Sequence, residues 1–192
     1  QIDQLEDDIK QQLADQLGFD SIEEAIDFVT ASPDIDEVKG DVINLIPGQK
    51  AGRIAFNSGL VNQSGWCPVN HATFESKLEK DVYVIGDASI SSPMPKSGVS
   101  AYSQAKVCAA AIVSSLNGEI VKNPKFINYC YSLVSPDYGI SVVKVYEFNG
   151  ENIKLIDGAG GKSPPNQTNK FRRLEAQYAE GWYKTITKEI WG

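Results

Sequence analysis

The chain has 192 residues, of which 42% are hydrophobic, and it carries a formal net charge of −7. This length allows one domain or parts of two, with a sizeable core. The acidic balance argues against a nucleic-acid partner, because phosphate binding needs clustered Lys and Arg. No run of about 18 apolar residues occurs, so the sequence predicts no transmembrane segment. The chain begins "QIDQLEDD" without an initiator methionine or a secretory signal, which we interpret as a mature product or a fragment.

Metal sites and serine-nucleophile sites are not expected. The sequence has three cysteines, Cys67, Cys108 and Cys130, and one histidine, His71. An odd number of cysteines leaves at least one thiol unpaired within the chain. Neither CxxC nor HxxxH spacing occurs, which argues against zinc. No GxSxG motif accompanies His71, which argues against a Ser-His-Asp triad.

The first 40 residues are strongly acidic and predict two helices. Five apolar residues recur at helical spacing: Ile2, Leu5, Ile9, Leu13 and Leu17. Gly18 follows as a stop signal, and Ser21 with Glu24 forms a capping-box pattern for a second, short helix. We interpret the acidic charge as a solvated face.

Residues 41–120 have the pattern of an α/β unit. The apolar run "DVINLIP", residues 41–47, predicts a buried strand that Pro47 ends. A second buried strand is predicted for "DVYVIGDA", residues 81–88. The small, apolar stretch that follows predicts a helix from Ser97 to Leu116, whose alanines would permit close packing against a sheet.

The last 72 residues have a different, α+β pattern. "EIVKNPKF", residues 119–126, is interpreted as a linker, and Asn149-Gly150 predicts a hairpin between two strand-like runs. Residues 157–169, "DGAGGKSPPNQTN", predict a loop. An amphipathic helix is predicted from Lys170 to Ile190. Its apolar stripe would consist of Leu174, Tyr178, Trp182 and Ile186.

Two neighbouring motifs predict a cofactor site. In "YVIGDAS" an apolar run ends in Gly86 and Asp87, which would offer close backbone approach and a carboxylate for a sugar or polyol hydroxyl. "MPKSG" precedes the long helix, and Ser97 would be its N-cap. The helix start, with Lys96 nearby, is suited to negative charge such as that of reduced flavin. The alternatives are a Gly-Asp that merely turns the chain and a solvated surface lysine.

Several stretches, in order, resemble the flavoprotein subunit of flavocytochrome c sulfide dehydrogenase, and the resemblance runs from Asp41 to Gly192. They are "SGWCPVNHATFESKL", "VIGDASISSPMPKSGVSAYSQAKVCAAAI", "NYCYSLVSPDYGIS", "GAGGKSPP" and "FRRLEAQYAEGWYKTI". The family is of the disulfide-reductase type and binds FAD in a Rossmann-like domain built from two chain segments. The chain therefore looks like the C-terminal half of such a protein, with the GxGxxG segment upstream.

The resemblance implies an α/β fold with an α+β C-terminal part. Half of a Rossmann-like FAD-binding domain would be followed by a small hairpin-plus-helix domain. The implied domains are an acidic helical segment over 1–40, the second FAD-binding segment over 41–120 and a flavocytochrome c-type domain over 121–192. The implied cofactor-binding residues are Gly86, Asp87, Met94, Pro95, Lys96, Ser97 and Gly98.

The resemblance also implies a role for Cys67, which the residues alone leave open between a reactive and a buried, inert thiol. In its "GWCPV" context, Cys67 matches one of two redox-active cysteines beside the flavin, and the partner cysteine would lie upstream. Hydrosulfide would attack the disulfide, and the released thiolate would pass electrons to FAD and on to a c-type cytochrome in the periplasm. We interpret Cys108 and Cys130 as packed residues and His71 as a surface residue.

Two other readings stay open. The first is a sulfide:quinone reductase-like flavoprotein, for which the last helix would be the membrane-docking segment. The second is a non-catalytic interaction or assembly fragment. Because the pyrophosphate-binding loop is not in this sequence, we expect the chain alone to bind FAD weakly and to be inactive with sulfide.

Overall fold

The computed structural model describes residues 39–192 together with Ser21 and Glu23. The chain divides into two units, residues 1–49 and residues 50–192. The two helices predicted before residue 40 lie outside the described residues, apart from Ser21 and Glu23. The strand predicted over residues 41–47 is wrong, because this segment has no regular structure and its apolar side chains are exposed. The backbone N–H and C=O groups of a strand need hydrogen-bond partners on a neighbouring strand, and the described residues of this first unit provide no such strand.

The second unit contains three helices, one 3-10 turn and three strands. In chain order they are α1 (Arg53–Asn57), the 3-10 turn (Gly86–Ala88), α2 (Gly98–Leu116), β1 (Lys125–Ser135), β2 (Tyr138–Phe148), β3 (Ile153–Lys162) and α3 (Asn169–Trp191). The two long helices were predicted to within a residue at each end. The Ser97 side chain caps α2 by accepting a hydrogen bond from the Ser100 amide. The Thr168 side chain caps α3 by accepting one from the Phe171 amide. None of the helices described is both long and apolar enough to cross a membrane.

The segment 81–88 is not the regular strand that its apolar pattern predicts. Tyr83 pairs with Glu75 as an isolated antiparallel bridge, and Ser89 pairs with Cys67 as an isolated parallel one. Between these bridges the chain turns at Gly86, whose φ is +73°. A positive φ leaves the extended region, so it interrupts any ladder at this point. The described residues therefore contain no parallel sheet, and their fold is a mixed α/β one built on an antiparallel sheet.

The three strands form an antiparallel sheet in the order β1-β2-β3. The predicted hairpin at Asn149-Gly150 is confirmed, with Phe148 opposite Ile153. The Asn149 side chain accepts a hydrogen bond from the Asn152 amide at 2.8 Å, which closes the turn. β1 begins inside the segment interpreted as a linker, because Phe126 is only 2% exposed and belongs to the core.

β3 runs through the glycine-containing first part, residues 157–162, of the segment for which a loop was predicted. Leu155 pairs with Tyr146 and Gly160 with Lys144, so residues 156–159 bulge out between two paired stretches. A Cβ at Gly160 would collide with the backbone of Val143 on β2. The prediction of a loop over 157–162 was wrong because glycine here permits a close strand pairing that other residues would prevent.

The sheet is covered on both faces. Side chains of consecutive strand residues point to opposite faces. Asn128 of β1 contacts Ser97 at the start of α2, whereas the ring of Tyr129 contacts Trp182 of α3. The main core lies on the α2 side and contains Val69, Phe74, Met94, Cys108, Phe126, Tyr146 and Ile153.

The buried face of α3 differs from the predicted stripe. Its buried residues are Arg172, Glu175, Ala176 and Ala179, while Leu174 and Tyr178 are exposed. The reason is the close approach of the helix to β2 at Gly139, where an added Cβ would lie 2.5 Å from the Ala176 backbone nitrogen. Small residues must face the sheet there, and a buried ion pair beside them completes the contact.

Candidate active site

The seven predicted cofactor-binding residues line two different cavities. One cavity, about 150 Å³, lies beside the 3-10 turn. Among its lining residues are Trp66, Gly86, Asp87, Met94, Pro95 and Lys96, and we refer to it as the turn cavity. The other, about 490 Å³, lies where the start of α2 meets the open edge of β1 and the middle of α3. It includes Ser97, Gly98, Tyr129, Cys130, Tyr131 and Trp182, and we refer to it as the edge cavity.

The backbone of the turn cavity is held by α2. The Gly86 amide donates a hydrogen bond of 2.7 Å to the side-chain oxygen of Gln104, which is itself buried. A Cβ at Gly86 would lie 3.4 Å from the Cβ of Ala101 and would require the strained positive φ. The next residue, Asp87, is exposed. A ligand at the turn can therefore reach both the backbone and a carboxylate.

The Lys96 ammonium is held at this turn. It lies 3.5 Å from the centroid of the Trp66 ring, donates to the carbonyl of Asp87, and lies 3.4 Å from the carbonyl of Ser89. Burial lowers the pKa of Lys96, and the negative charges of Asp87 and of ionised Cys67 act against that lowering. The ring and the carbonyl groups bind the ammonium without cancelling its charge, so positive charge stays available at the cavity.

Cys67 is completely buried, with 0% of its surface exposed. It packs with Ala51 and Ala55, and its backbone pairs with the segment after the turn through bonds of 2.9 Å to Ala88 and 2.8 Å from Ile90. Burial raises the pKa of the Cys67 thiol, and Lys96 opposes this only in part. These surroundings favour the protonated thiol and keep solutes away from the sulfur. The catalytic role that the resemblance implies for Cys67 stays a prediction.

The edge cavity is walled by aromatic rings. The ring of Tyr129 meets that of Tyr131 edge-on at 5.8 Å and that of Trp182 at 6.1 Å. The indole nitrogen of Trp182 is buried and has no hydrogen-bond partner. Cys130 is only partly buried and has a free thiol. A cavity of this size lies within the range of small-molecule and cofactor sites, whereas the turn cavity is smaller than that range.

Asn128 joins the start of α2 to Cys130. Its side-chain oxygen accepts a hydrogen bond of 2.6 Å from the Ser97 hydroxyl and one of 3.1 Å from the Ser100 hydroxyl. Its amide nitrogen lies 3.5 Å from the sulfur of Cys130. The sequence analysis missed this residue. The available signal was a polar residue two positions before a cysteine and two after Phe126, and therefore on the buried face of a strand.

Both His71 and Cys108 are buried, which differs from the prediction for His71 and agrees with that for Cys108. His71 is buried, not a surface residue, and its Nε2 lies 2.8 Å from the carbonyl oxygen of Ile90 while its Nδ1 has no partner. The prediction failed because residues 67–90 fold back on themselves and enclose the ring. Cys108 is packed in the main core as predicted, and burial raises the pKa of its thiol. Within residues 39–192, no group of three His, Cys, Asp or Glu side chains could hold a metal ion.

A comparison with protein-family models matches residues 122–191 to the family described as flavocytochrome c sulphide dehydrogenase, flavin-binding. The match covers just over a third of the chain and contains β1, β2, β3 and α3. The resemblance seen in the sequence is confirmed over these residues. The matched domain is a flavin-binding domain of a flavoenzyme family, in agreement with FAD as the cofactor.

Proposed function

We propose that this chain is part of an FAD-dependent sulfide dehydrogenase that oxidises sulfide and passes the electrons to a c-type cytochrome. The observation that carries this proposal is the composition of the edge cavity. Tyr129, Cys130 and Trp182 come from the residues that match the flavin-binding family, and Ser97 and Gly98 come from the helix start that the sequence predicts to hold a flavin. Residues from the family match and residues from the predicted helix start thus line the same cavity.

The residues present fit the ring system of a flavin. The unpartnered indole N–H of Trp182 offers a hydrogen bond to a ring carbonyl, and Gly98 has no atom within 4 Å of an added Cβ, so the first turn of α2 is open to a ligand. Lys96 and Asp87 would bind the cofactor from the turn cavity. Bound FAD supplies a two-electron acceptor that can release electrons one at a time, as a cytochrome requires.

For the reacting sulfur we propose Cys67, which the resemblance implies, and we keep Cys130 as the alternative. Both thiols are free, but Cys130 lines the edge cavity and Cys67 is sealed in a separate core. In the proposed reaction, Cys67 forms a disulfide with a cysteine outside this chain. Hydrosulfide would attack one sulfur of that disulfide, which breaks the S–S bond, forms a persulfide and releases the other sulfur as thiolate. A second hydrosulfide would carry away the outer sulfur as hydrodisulfide and leave two protein thiolates. When bound, FAD would supply the two-electron acceptor that restores the disulfide.

The experiment is a sulfide titration, followed by visible absorption, of the flavin-loaded flavoprotein in which this chain is joined to its upstream half. We expect a long-wavelength thiolate–flavin band in the wild type and in Cys130→Ser, and its loss in Cys67→Ser. The matched control is Cys108→Ser, because that thiol is packed in the main core. A band that persists in Cys67→Ser and disappears in Cys130→Ser would make Cys130 the reacting group. Absence of the band in the wild type would refute the proposed reaction.

The electron acceptor is tested in the same preparation. We expect turnover with cytochrome c and little with a soluble quinone analogue; the reverse result would favour a sulfide:quinone reductase. A Rossmann-like half supplied by the upstream part of the same flavoprotein, and a periplasmic location beside the cytochrome, belong to the same proposal. Accordingly, the chain on its own is expected to bind FAD weakly and to show no sulfide turnover, because it has no GxGxxG loop. Turnover by the isolated chain would contradict this.

A further inference from the structure

The Lys96 ammonium has no ion-pair partner among the residues that the structure describes. It contacts three neutral groups: the Trp66 ring, whose centroid is 3.5 Å away, and the carbonyl oxygens of Asp87 and Ser89. A lysine with a flexible side chain would otherwise place its charged end in water. The ring and the carbonyl groups instead fix the ammonium at one place without neutralising it.

Two of the groups that hold this ammonium flank Cys67. Trp66 precedes Cys67 in the chain, and Ser89 is paired with Cys67 in the isolated parallel bridge. The Cys67 amide donates a hydrogen bond of 2.9 Å to the Ala88 carbonyl, and the Ile90 amide donates one of 2.8 Å to the Cys67 carbonyl. The cysteine and the residues that hold the ammonium are therefore parts of one hydrogen-bonded unit.

The charges of Cys67 and Lys96 act on each other. Burial raises the pKa of the Cys67 thiol, and the positive charge of Lys96 acts against that increase. Burial lowers the pKa of Lys96, and the negative charges of Asp87 and of ionised Cys67 act against that decrease. Lys96 thus supplies positive charge near a thiol that burial alone would keep protonated.

A counter-charge at this place serves the proposed reaction. Reduction of the disulfide leaves Cys67 as a thiolate, and a thiolate in a closed, apolar pocket takes up a proton unless an opposite charge lies nearby. We infer that Trp66 is a positioning residue: its ring holds the Lys96 ammonium beside Cys67, where the ammonium is the counter-charge of the Cys67 thiolate. Lys96 keeps its proton throughout. The use of the thiolate rests on the proposed function, but the coupling of the two charges does not.

The contact with the ring is tested without flavin, by NMR of the reduced 192-residue chain with isotope-labelled lysine side chains. The Lys96 signal is identified by its disappearance in Lys96→Arg. The ring current of Trp66 should displace the signal of the Lys96 Cε protons from that of the exposed Lys80. We expect this displacement to be lost in Trp66→Leu and largely kept in Trp66→Phe. A Lys96 signal that coincides with that of Lys80 in the wild type would overturn the positioning role of Trp66.

A pH titration of the same signal measures the coupling of the two charges. The pKa of Lys96 should fall in Cys67→Ser, because the thiolate charge that favours the ammonium is removed. Cys108→Ser is the matched control and should leave the pKa of Lys96 unchanged, since that buried thiol does not act on Lys96. An equal pKa of Lys96 in the wild type and in Cys67→Ser would overturn the inference.

The effect on the thiolate is tested in the flavin-loaded flavoprotein that includes the upstream half. The readout is the pH at which acid removes half of the sulfide-induced thiolate–flavin band. This midpoint should rise by about one pH unit in Lys96→Met, because an uncompensated thiolate is protonated more readily. In Trp66→Leu the proton concentration at the midpoint should fall about threefold, the equivalent of one cation–π contact. Lys96→Arg should keep the wild-type midpoint. So should Lys106→Met, the matched control, whose ammonium lies over the Tyr102 ring at 4.3 Å.

A merely structural role gives a different result. The band would then lose intensity in Lys96→Met and Trp66→Leu while its midpoint stays the same, which would assign Lys96 to flavin binding alone and overturn the inference. If Trp66→Leu does not fold, as judged by circular dichroism, Lys96→Met and Trp66→Phe decide by the same midpoint. A wild type without any band refutes the proposed sulfide chemistry, while the titration of Lys96 in Cys67→Ser still decides the coupling.

Discussion

The segment around Cys67 and the strand around Cys130 surround their cysteines in opposite ways. Residues 50–97 are largely irregular, are joined by single bridges and backbone hydrogen bonds, and enclose Cys67 completely. Residues 125–191 form a regular sheet and a long helix, yet leave Cys130 at the rim of a cavity. Irregular chain can fold around a side chain from all directions, whereas a strand at the edge of a sheet has one open side. Regularity of structure and protection of a side chain are therefore separate properties.

The largest expected effect is the difference in reactivity between the two thiols. With a neutral alkylating reagent at one pH, Cys130 should react about 1,000-fold faster than Cys67. Attack on Cys67 requires a local opening, which for a buried segment costs several kcal/mol. Peptide mapping at timed intervals measures both rates, with Cys108 as a second buried reference. Similar alkylation rates for Cys67 and Cys130 would contradict the conclusion that Cys67 is inaccessible and Cys130 is accessible to the reagent.

The next effect concerns the buried ion pair that fastens α3 to the sheet. Arg172 and Glu175 are 5% and 8% exposed, and Glu175 also accepts hydrogen bonds from Ser141 and Ser163. Glu175→Ala leaves the guanidinium unpaired and should reduce the free energy of unfolding by about 3 kcal/mol at pH 7. Urea titration measures this. The exposed pair of Asp137 and Arg173 provides the control, since Asp137→Ala should have a much smaller effect.

The loss in Glu175→Ala should depend on pH. Burial raises the pKa of Glu175, but the hydrogen bonds from Ser163, Ser141 and Arg172 outweigh it and hold the pKa below its ordinary value of 4.5. The stabilisation is therefore complete above pH 4.5 and is lost as the pH falls through the lowered pKa. Wild type and variant should converge in acid. A constant difference down to pH 3 would show that the carboxylate charge contributes little.

A smaller effect is expected where α3 touches β2. Gly139→Ala would place a Cβ 2.7 Å from the carbonyl carbon of Glu175, so the helix must move, at a cost of about 2 kcal/mol. The matched control is Gly181→Ala in α3, which meets no atom within 4 Å and should stabilise the helix by about 1 kcal/mol. If the comparison of regions holds, Gly139→Ala accelerates alkylation of Cys130 and leaves Cys67 unchanged. Equal acceleration of both thiols would mean that the two regions open together.

The smallest effect distinguishes the two helix caps. Thr168→Ala should cost about 1 kcal/mol, the usual value for loss of a capping oxygen. Ser97→Ala removes the cap of α2 and also one of the two donors to Asn128, so the loss should be larger. Thermal unfolding of both variants under the same conditions compares them. An equal loss would indicate that the hydrogen bond from the Ser97 hydroxyl to Asn128 makes no measurable contribution to stability.

The elements that the sequence predicted well are those determined by neighbouring residues. Ser97 caps the helix that follows it, and Asn149 with Gly150 closes its own hairpin, so local chemistry suffices in both places. At Gly86 and Asp87 the strand prediction was wrong, and the alternative of a turn is what the structure shows. Five of the seven predicted cofactor residues line the turn cavity, and the other two line the edge cavity.

The features that were missed depend on distant partners. β1 and most of β3 have poor strand patterns, and they form because β2 pairs with both; the glycines of β3 even assist the pairing. The apolar run at 81–88 has a strand pattern but only isolated bridges to satisfy it. The accessibility of Cys67 and Cys130 is likewise a property of the assembled chain. No local pattern distinguishes a thiol at the centre of a fold from one at the rim of a cavity.

The Ser97 hydroxyl takes part in two hydrogen bonds at once. It accepts from the backbone of the first turn of α2 and donates to the amide of Asn128. The direction of that amide therefore depends on the helix being wound at its first residue. In a newly made or partly unfolded chain with a frayed α2, the Asn128 side chain would lose these partners and could rotate. Folding of the first turn of a helix thus becomes a precondition for the fixed orientation of a polar side chain on a neighbouring strand.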